Sequence, residues 1–104
     1  MQTQVTFRHM KSRTELTDDA IEAMKKFEKY YDSITSANVE FIADTHNIVE
    51  MTVHAHGKVL VVKEHSDDFN KSLHEATDKM VRQLRKTKEK YSKPKGIELN
   101  SYFF

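Results

Sequence analysis

The chain has 104 residues, 38% of them hydrophobic and 32% charged, with a formal net charge of +1. That is enough for one hydrophobic core and too little for two. It has no cysteine, which excludes disulfides, a thiol nucleophile and Cys-ligated zinc. Two glycines and one proline exclude a Gly-rich phosphate loop and a Pro-rich linker. No apolar run approaches the ~18 residues of a membrane span, and the polar start Met1–Gln4 lacks the apolar core of a secretory signal. A cytoplasmic protein without a membrane partner is expected.

The small net charge hides an asymmetry. Lys79 to Lys95 holds eight bases against one acid, a net +7, while the remainder holds nine bases and fifteen acids, a net −6. A basic end on an acidic body predicts one polyanion-facing surface.

In chain order, Gln2–His9 reads as a first strand, with Val5 and Phe7 on one face. A helix follows, capped by Thr14 or Thr17, with Asp18, Asp19 and Glu22 near its positive end. Leu16, Ala20, Met24, Phe27 and Tyr31 recur at helical steps and form its buried stripe, and the helix should stop near Asp32-Ser33. Ala37, Val39, Phe41 and Ala43 then alternate with Asn38, Glu40, Ile42 and Asp44. After a turn at Thr45–Asn47, Val49, Met51, Val53 and Ala55 alternate with Glu50, Thr52, His54 and His56. Both strands read as one face on a core and one in water, an antiparallel pattern. His56-Gly57-Lys58 is a tight hairpin with Gly57 at positive φ. Val59–Val62 is the fourth strand, Leu60 and Val62 facing inward. The last element is a long helix, Asp67 to Tyr91, capped by Ser66 or Asp67 and ended by Pro94 and Gly96. Phe69, Leu73, Ala76, Met80, Leu84 and Tyr91 mark its buried stripe, with Thr87 filling a step. At 1.5 Å per residue it spans ~37 Å and should outrun the sheet. The order β-α-β-β-β-α, with two amphipathic helices on one face of a four-stranded sheet, predicts a two-layer α+β domain.

The feature that points to function is the charged stripe on this helix. At about 100° per residue, Lys79, Arg82, Lys86, Lys90 and Lys93 fall within about 80° of arc, beside the buried stripe. A structural helix normally interleaves signs for i,i+4 support. Complementing the helix dipole would explain bases in the final turn only, not over four turns. Phosphate binding is the better reading. The helix start, Ser66-Asp67-Asp68, is acidic, unlike the lysine-bearing helix start of double-stranded-RNA-binding domains. Lys25, Lys26 and Lys29 widen the patch if the two helices lie side by side.

Other chemistry is thinly supported. His54 and His56 share a strand face and His65 could approach them, but a closed metal site needs three or four ligands with supporting partners. No metal or other cofactor is predicted, and a histidine-based metal-binding domain stays only as an alternative. No nucleophile elbow, apolar carboxylate pair or phosphate cradle is present, so neither enzyme activity nor a small-molecule substrate is expected. Tyr30, Tyr31 and Tyr91 fall in or beside the apolar stripes and are read as core or core-edge packing rather than base-stacking residues. The sheet lacks the interleaved aromatics of an RNA-recognition motif.

The stretch Met51-Thr52-Val53-His54-Ala55-His56-Gly57 and the phrase from Asp78 to Lys90, DKMVRQLRKTKEK, resemble the ribosome hibernation promoting factor family. That family is also called protein Y, ribosome-associated inhibitor or sigma factor modulation protein. The first-helix end Lys26-Phe27-Glu28-Lys29-Tyr30-Tyr31-Asp32-Ser33-Ile34 fits the same family, and the resemblance covers roughly Gln2 to Lys93. It implies a non-enzymatic factor that binds the small ribosomal subunit and its rRNA at the decoding centre. Such a factor blocks mRNA and transfer RNA and idles ribosomes in stress or stationary phase. It implies rRNA contacts by Lys26, Lys79, Arg82, Lys86, Lys88 and Lys90, with Lys25, Lys29, Arg85 and Lys93 as candidate additional contacts. The expected form is the short one, residues 1–93 as the ribosome-binding domain and 94–104 as a C-terminal tail. It would be a monomer off the ribosome, with a ribosome modulation factor as a candidate partner. The alternative within RNA binding is another module of similar fold acting on structured RNA.

Overall fold

The computed structural model describes residues 1–31, 33–55 and 57–92, with side chains as far as Thr87. The elements are β1 (Gln2–Arg8), α1 (Thr14–Tyr30), β2 (Ile34–Ala43), β3 (Asn47–Ala55), β4 (Lys58–Ser66) and α2 (Phe69–Ser92). The strands form one mixed sheet in the order β1-β2-β3-β4. β1 pairs parallel to β2, and β2–β3 and β3–β4 pair antiparallel. The expected two-layer α+β architecture is the one observed.

Strand alternation sorts the residues onto two faces. Val39, Phe41, Val49, Met51 and Val53 are fully buried beneath the helices, joined by Val62. From the helix side come Leu16, Ala20, Met24 and Phe27 of α1 and Ala76, Met80 and Leu84 of α2. Phe41 ties the layers: it stacks on Phe7 with centroids 5.2 Å apart and meets Phe69 edge-on at 5.7 Å. The opposite sheet face is open. Val59 and Val61 are exposed there at 55% and 49%, so Leu60 and Val62 are the inward pair of β4, as expected. Ile42 departs from its alternation. It lies on the open face yet is buried, because the register sets it between Arg8 and Ile48. Beside it, Arg8 donates to Glu40 at 2.9 Å, a bond that raises the guanidinium pKa further.

The starts of both helices differ from expectation. α1 begins after Arg13 with no side-chain cap; the Thr17 hydroxyl bonds back to the Arg13 carbonyl at 3.1 Å, which is how a threonine inside the first turn is satisfied. Asp68, not Ser66 or Asp67, caps α2, its carboxylate accepting from the Asn70 N–H at 3.1 Å. Ser66 instead joins Ser72, hydroxyl to hydroxyl at 2.7 Å, and Ser72 donates to the Asn47 carbonyl at 2.8 Å. That chain pins the start of α2 to the end of the β3–β4 ladder. Gly57 occupies φ +69° in the β3–β4 hairpin, as its neighbours predicted. Asp32, His56, Pro94, Gly96 and the tail 94–104 lie outside the described residues, as does the side chain of Tyr91.

Candidate nucleic-acid interface

The topology decides where the bases gather. Because β1 and β2 are parallel and β3 is antiparallel to its neighbours, β1 and β4 run the same way. Each is followed by a helix that returns across the sheet, so α1 and α2 descend side by side with their N-termini at one end. Their facing residues confirm it: Asp19, Lys26 and Tyr30 of α1 line one groove with Asn70, His74 and Val81 of α2. Parallel helices align their dipoles, and the charges follow. Asp18, Asp19 and Glu22 lie in the first half of α1, and Asp67, Asp68, Glu75 and Asp78 before and in the first half of α2. Lys25, Lys26 and Lys29 occupy the second half of α1 and Arg82, Arg85 and Lys86 that of α2, with Lys79 just before its midpoint, and all seven are exposed. Lys71, Glu28 and Glu89 run against the trend, so the helix layer is richer in acids at one end and in bases at the other.

Within the basic end the bases divide. Lys79 reaches down to β4 and pairs with Glu64, whose side chain is only 16% exposed. Lys86 lies about 20° from Lys79 on the helix wheel, so these two mark the β4 shoulder. Arg85 lies about 120° from Lys79, on the α1 side, where its guanidinium carbon sits 5.8 Å from the centre of the Tyr30 ring. Arg82 stands between them on the outermost line. Lys26 faces the inter-helix groove, while Lys25 and Lys29 lie on the outer surface of α1. The stripe on α2 and the lysines of α1 therefore form one surface, as adjacency of the helices requires. The α2 backbone continues through Lys88 and Lys90, but their side chains, and Lys93 altogether, lie outside the described residues.

Sequence reasoning missed two participants. Glu64 belongs to a strand read as ending at Val62, so its approach to α2 could not be seen. Tyr30 was read as core or core-edge; it lies at the edge, 38% exposed, and its place in the groove under Arg85 is what was missed. Its place one position off the Leu16–Phe27 stripe was the available signal. Tyr31, by contrast, is buried as expected. The histidine reading loses its geometry: His54 pairs with Val59 and His65 with Ile48, ~20 Å apart along β4. His46 is the residue beside His65, with ring centres 5.0 Å apart, and His56 is outside the described residues. No group of three or more potential ligands occurs among the described residues. No helix among them is long and apolar enough to cross a membrane.

The model of one family, described as sigma 54 modulation protein / S30EA ribosomal protein, matches residues 3–92. The chain belongs to that family. Among S30EA relatives, a ribosome hibernation promoting factor of Pseudomonas putida is 30% identical over 93 residues, covering 86% of this chain and 89% of that protein. A ribosome hibernation promotion factor of Deinococcus radiodurans is 31% identical over 78 residues. The match takes in 69% of this chain but only 41% of that longer protein. The fold matches the Thermus thermophilus protein Y N-terminal domain, with a TM-score of 0.76, 18% identity and coverage of 84% of this chain and 99% of that one. It also matches a ribosomal subunit interface protein of Coxiella burnetii, with a TM-score of 0.73, 24% identity and coverage of 86% and 99%.

Proposed function

We infer that this chain is a ribosome hibernation factor, a stoichiometric, non-catalytic inhibitor. It binds the small ribosomal subunit at the decoding centre through the basic half of its helix layer. The observation that carries this reading is the convergence of bases from two parallel helices on one end of a rigid layer, in a chain of the S30EA family. Phosphate contacts supply sequence-independent affinity and register on structured RNA. The buried stripes hold both helices on the sheet, so the bases are presented without a backbone-ordering cost, and only their side chains are ordered at each contact.

Arg82, Lys86, Lys88 and Lys90 of α2 and Lys26 of α1 carry the rRNA contacts, with Lys25, Lys29, Arg85 and Lys93 adding to them. Lys79 contributes less, being held by Glu64. Inhibition follows from occupancy: a folded domain in that channel excludes mRNA and transfer RNA by volume. The factor acts in the cytoplasm as a monomer until it meets the ribosome, where a ribosome modulation factor is a candidate second partner.

Sedimentation with purified subunits, with a translation assay in parallel, tests the reading. Co-sedimentation with the small subunit and loss of translation at one equivalent per ribosome are expected. Binding to free RNA duplexes but not to the subunit would replace it with a general RNA-binding module.

A further inference from the structure

The groove between α1 and α2 is an open cleft with a volume near 460 Å³, a size that small-ligand sites share. Its two ends differ in charge. Asp19 and Glu22 line it toward the helix N-termini and Lys26 and Tyr30 toward the C-termini. Asp78 lies at the level of Lys26 on the facing helix, its carboxylate 3.5 Å from His74 Nε2. Tyr30 is the large aromatic left half-uncovered there, with the Arg85 guanidinium over its ring. Val81 and Leu73 supply an apolar floor. An acidic lining repels phosphate but accepts hydrogen bonds from the N–H groups of a neutral base. A basic mouth does the reverse.

From this complementarity we propose that the groove is a binding site for one unpaired nucleotide of RNA. Its base stacks on Tyr30 beside Arg85, and its phosphate is held by Lys26 and Arg85. Aromatic and guanidinium planes are the usual platforms for splayed-out RNA bases. The base edge turns toward Asp78, whose carboxylate is steadied by His74 at 3.5 Å and keeps acceptor lone pairs on both oxygens. Guanine presents two adjacent N–H donors to such a pair. Uracil presents one donor flanked by carbonyl oxygens, which the carboxylate repels. The site thus prefers an unpaired guanine to an unpaired uracil, a base-specific element within an otherwise phosphate-reading surface.

The inference rests on the ribosome-binding reading only for where the nucleotide comes from, so the test has two arms. In the first, small-subunit affinity is measured for the wild type, Tyr30→Phe and Tyr30→Leu, each at several salt concentrations, with thermal melts alongside. Leucine keeps apolar volume over the core, so folding is retained while the stacking ring is lost. Tyr30→Leu should bind roughly 5- to 150-fold more weakly, the loss expected for one stacked base, with an unchanged salt slope. Tyr30→Phe should bind like the wild type. In the second arm, ring-proton shifts of Tyr30 are followed while a single-stranded guanine tetranucleotide or a uracil tetranucleotide is added. A ring shift that is larger with guanine supports the site. If Tyr30→Leu binds the subunit as tightly as the wild type, the stacking site is wrong. If the wild type does not co-sediment at all, the ribosome reading falls and the tetranucleotide titration alone decides the site, absence of a shift overturning it.

Discussion

Glu64 and Lys79 show how a single contact changes the weight of a residue. By spacing alone Lys79 is equal to Arg82 and Lys86, since all three lie on one ridge. In the fold its ammonium is committed to a carboxylate on the edge strand. Glu64→Gln keeps the side-chain shape and removes that hold. The pair is half-exposed on the lysine side, so stability should change by under ~1 kcal/mol. Lys79 would then be free to meet phosphate, and the salt slope of ribosome binding should steepen by about 0.7–0.9, the value of one added contact. A slope equal to the wild type's would show that Lys79 lies away from the RNA. Gly57 is a second residue-scale case. A Cβ at this position meets nothing within 4 Å, so only its φ of +69° opposes a larger residue. Gly57→Ala should lower stability by about 1–2 kcal/mol, read from denaturant unfolding, and leave the ribosome affinity of the folded protein unchanged.

At the scale of elements, α2 does two jobs on separate arcs. Met80 and Leu84 are fully buried, and Arg82 and Lys86, two residues further on in each case, are exposed. Arg82→Glu with Lys86→Glu should leave the core untouched and shift stability by less than ~0.5 kcal/mol, because the new acids sit among bases. Co-sedimentation with the small subunit should nevertheless fall sharply, two attractive contacts having become repulsive. Leu84→Ala tests the other arc: it should cost about 2–5 kcal/mol and lose binding only as the domain melts. Full binding by the folded charge-reversed protein would reduce the ridge to a solvated face.

For the whole molecule, the separation of charge along two parallel helices sets the direction of approach. On the proposed reading, the acid-rich end would face away from rRNA while the base-rich end is drawn in, orienting the encounter as well as strengthening it. If five or six phosphates are neutralised, log K should fall with log salt at a slope of about −4 to −5. Ribosome affinity measured across a range of potassium concentrations checks this. A flat response would mean that shape and base contacts, not charge, hold the complex.

The buried stripes and the strand alternation were legible in the chain because their periods, about 3.6 and 2, depend only on local geometry. Leu16 to Tyr31, Phe69 to Leu84 and Val49 to Ala55 occupy the core for that reason. The element order and the family resemblance followed from the same residues. The basic ridge was legible too, since a helix wheel needs no tertiary information. What sequence could not decide was anything that depends on two segments meeting. The parallel descent of the helices comes from the β1–β2 pairing, a non-local contact, and with it comes the joining of Lys26 to the α2 bases. The capture of Lys79 by Glu64, the separation of His54 from His65 and the exposure of Tyr30 beneath Arg85 are likewise tertiary. Each joins residues that are distant in the chain, and only the closed sheet with both helices seated on it brings them within reach.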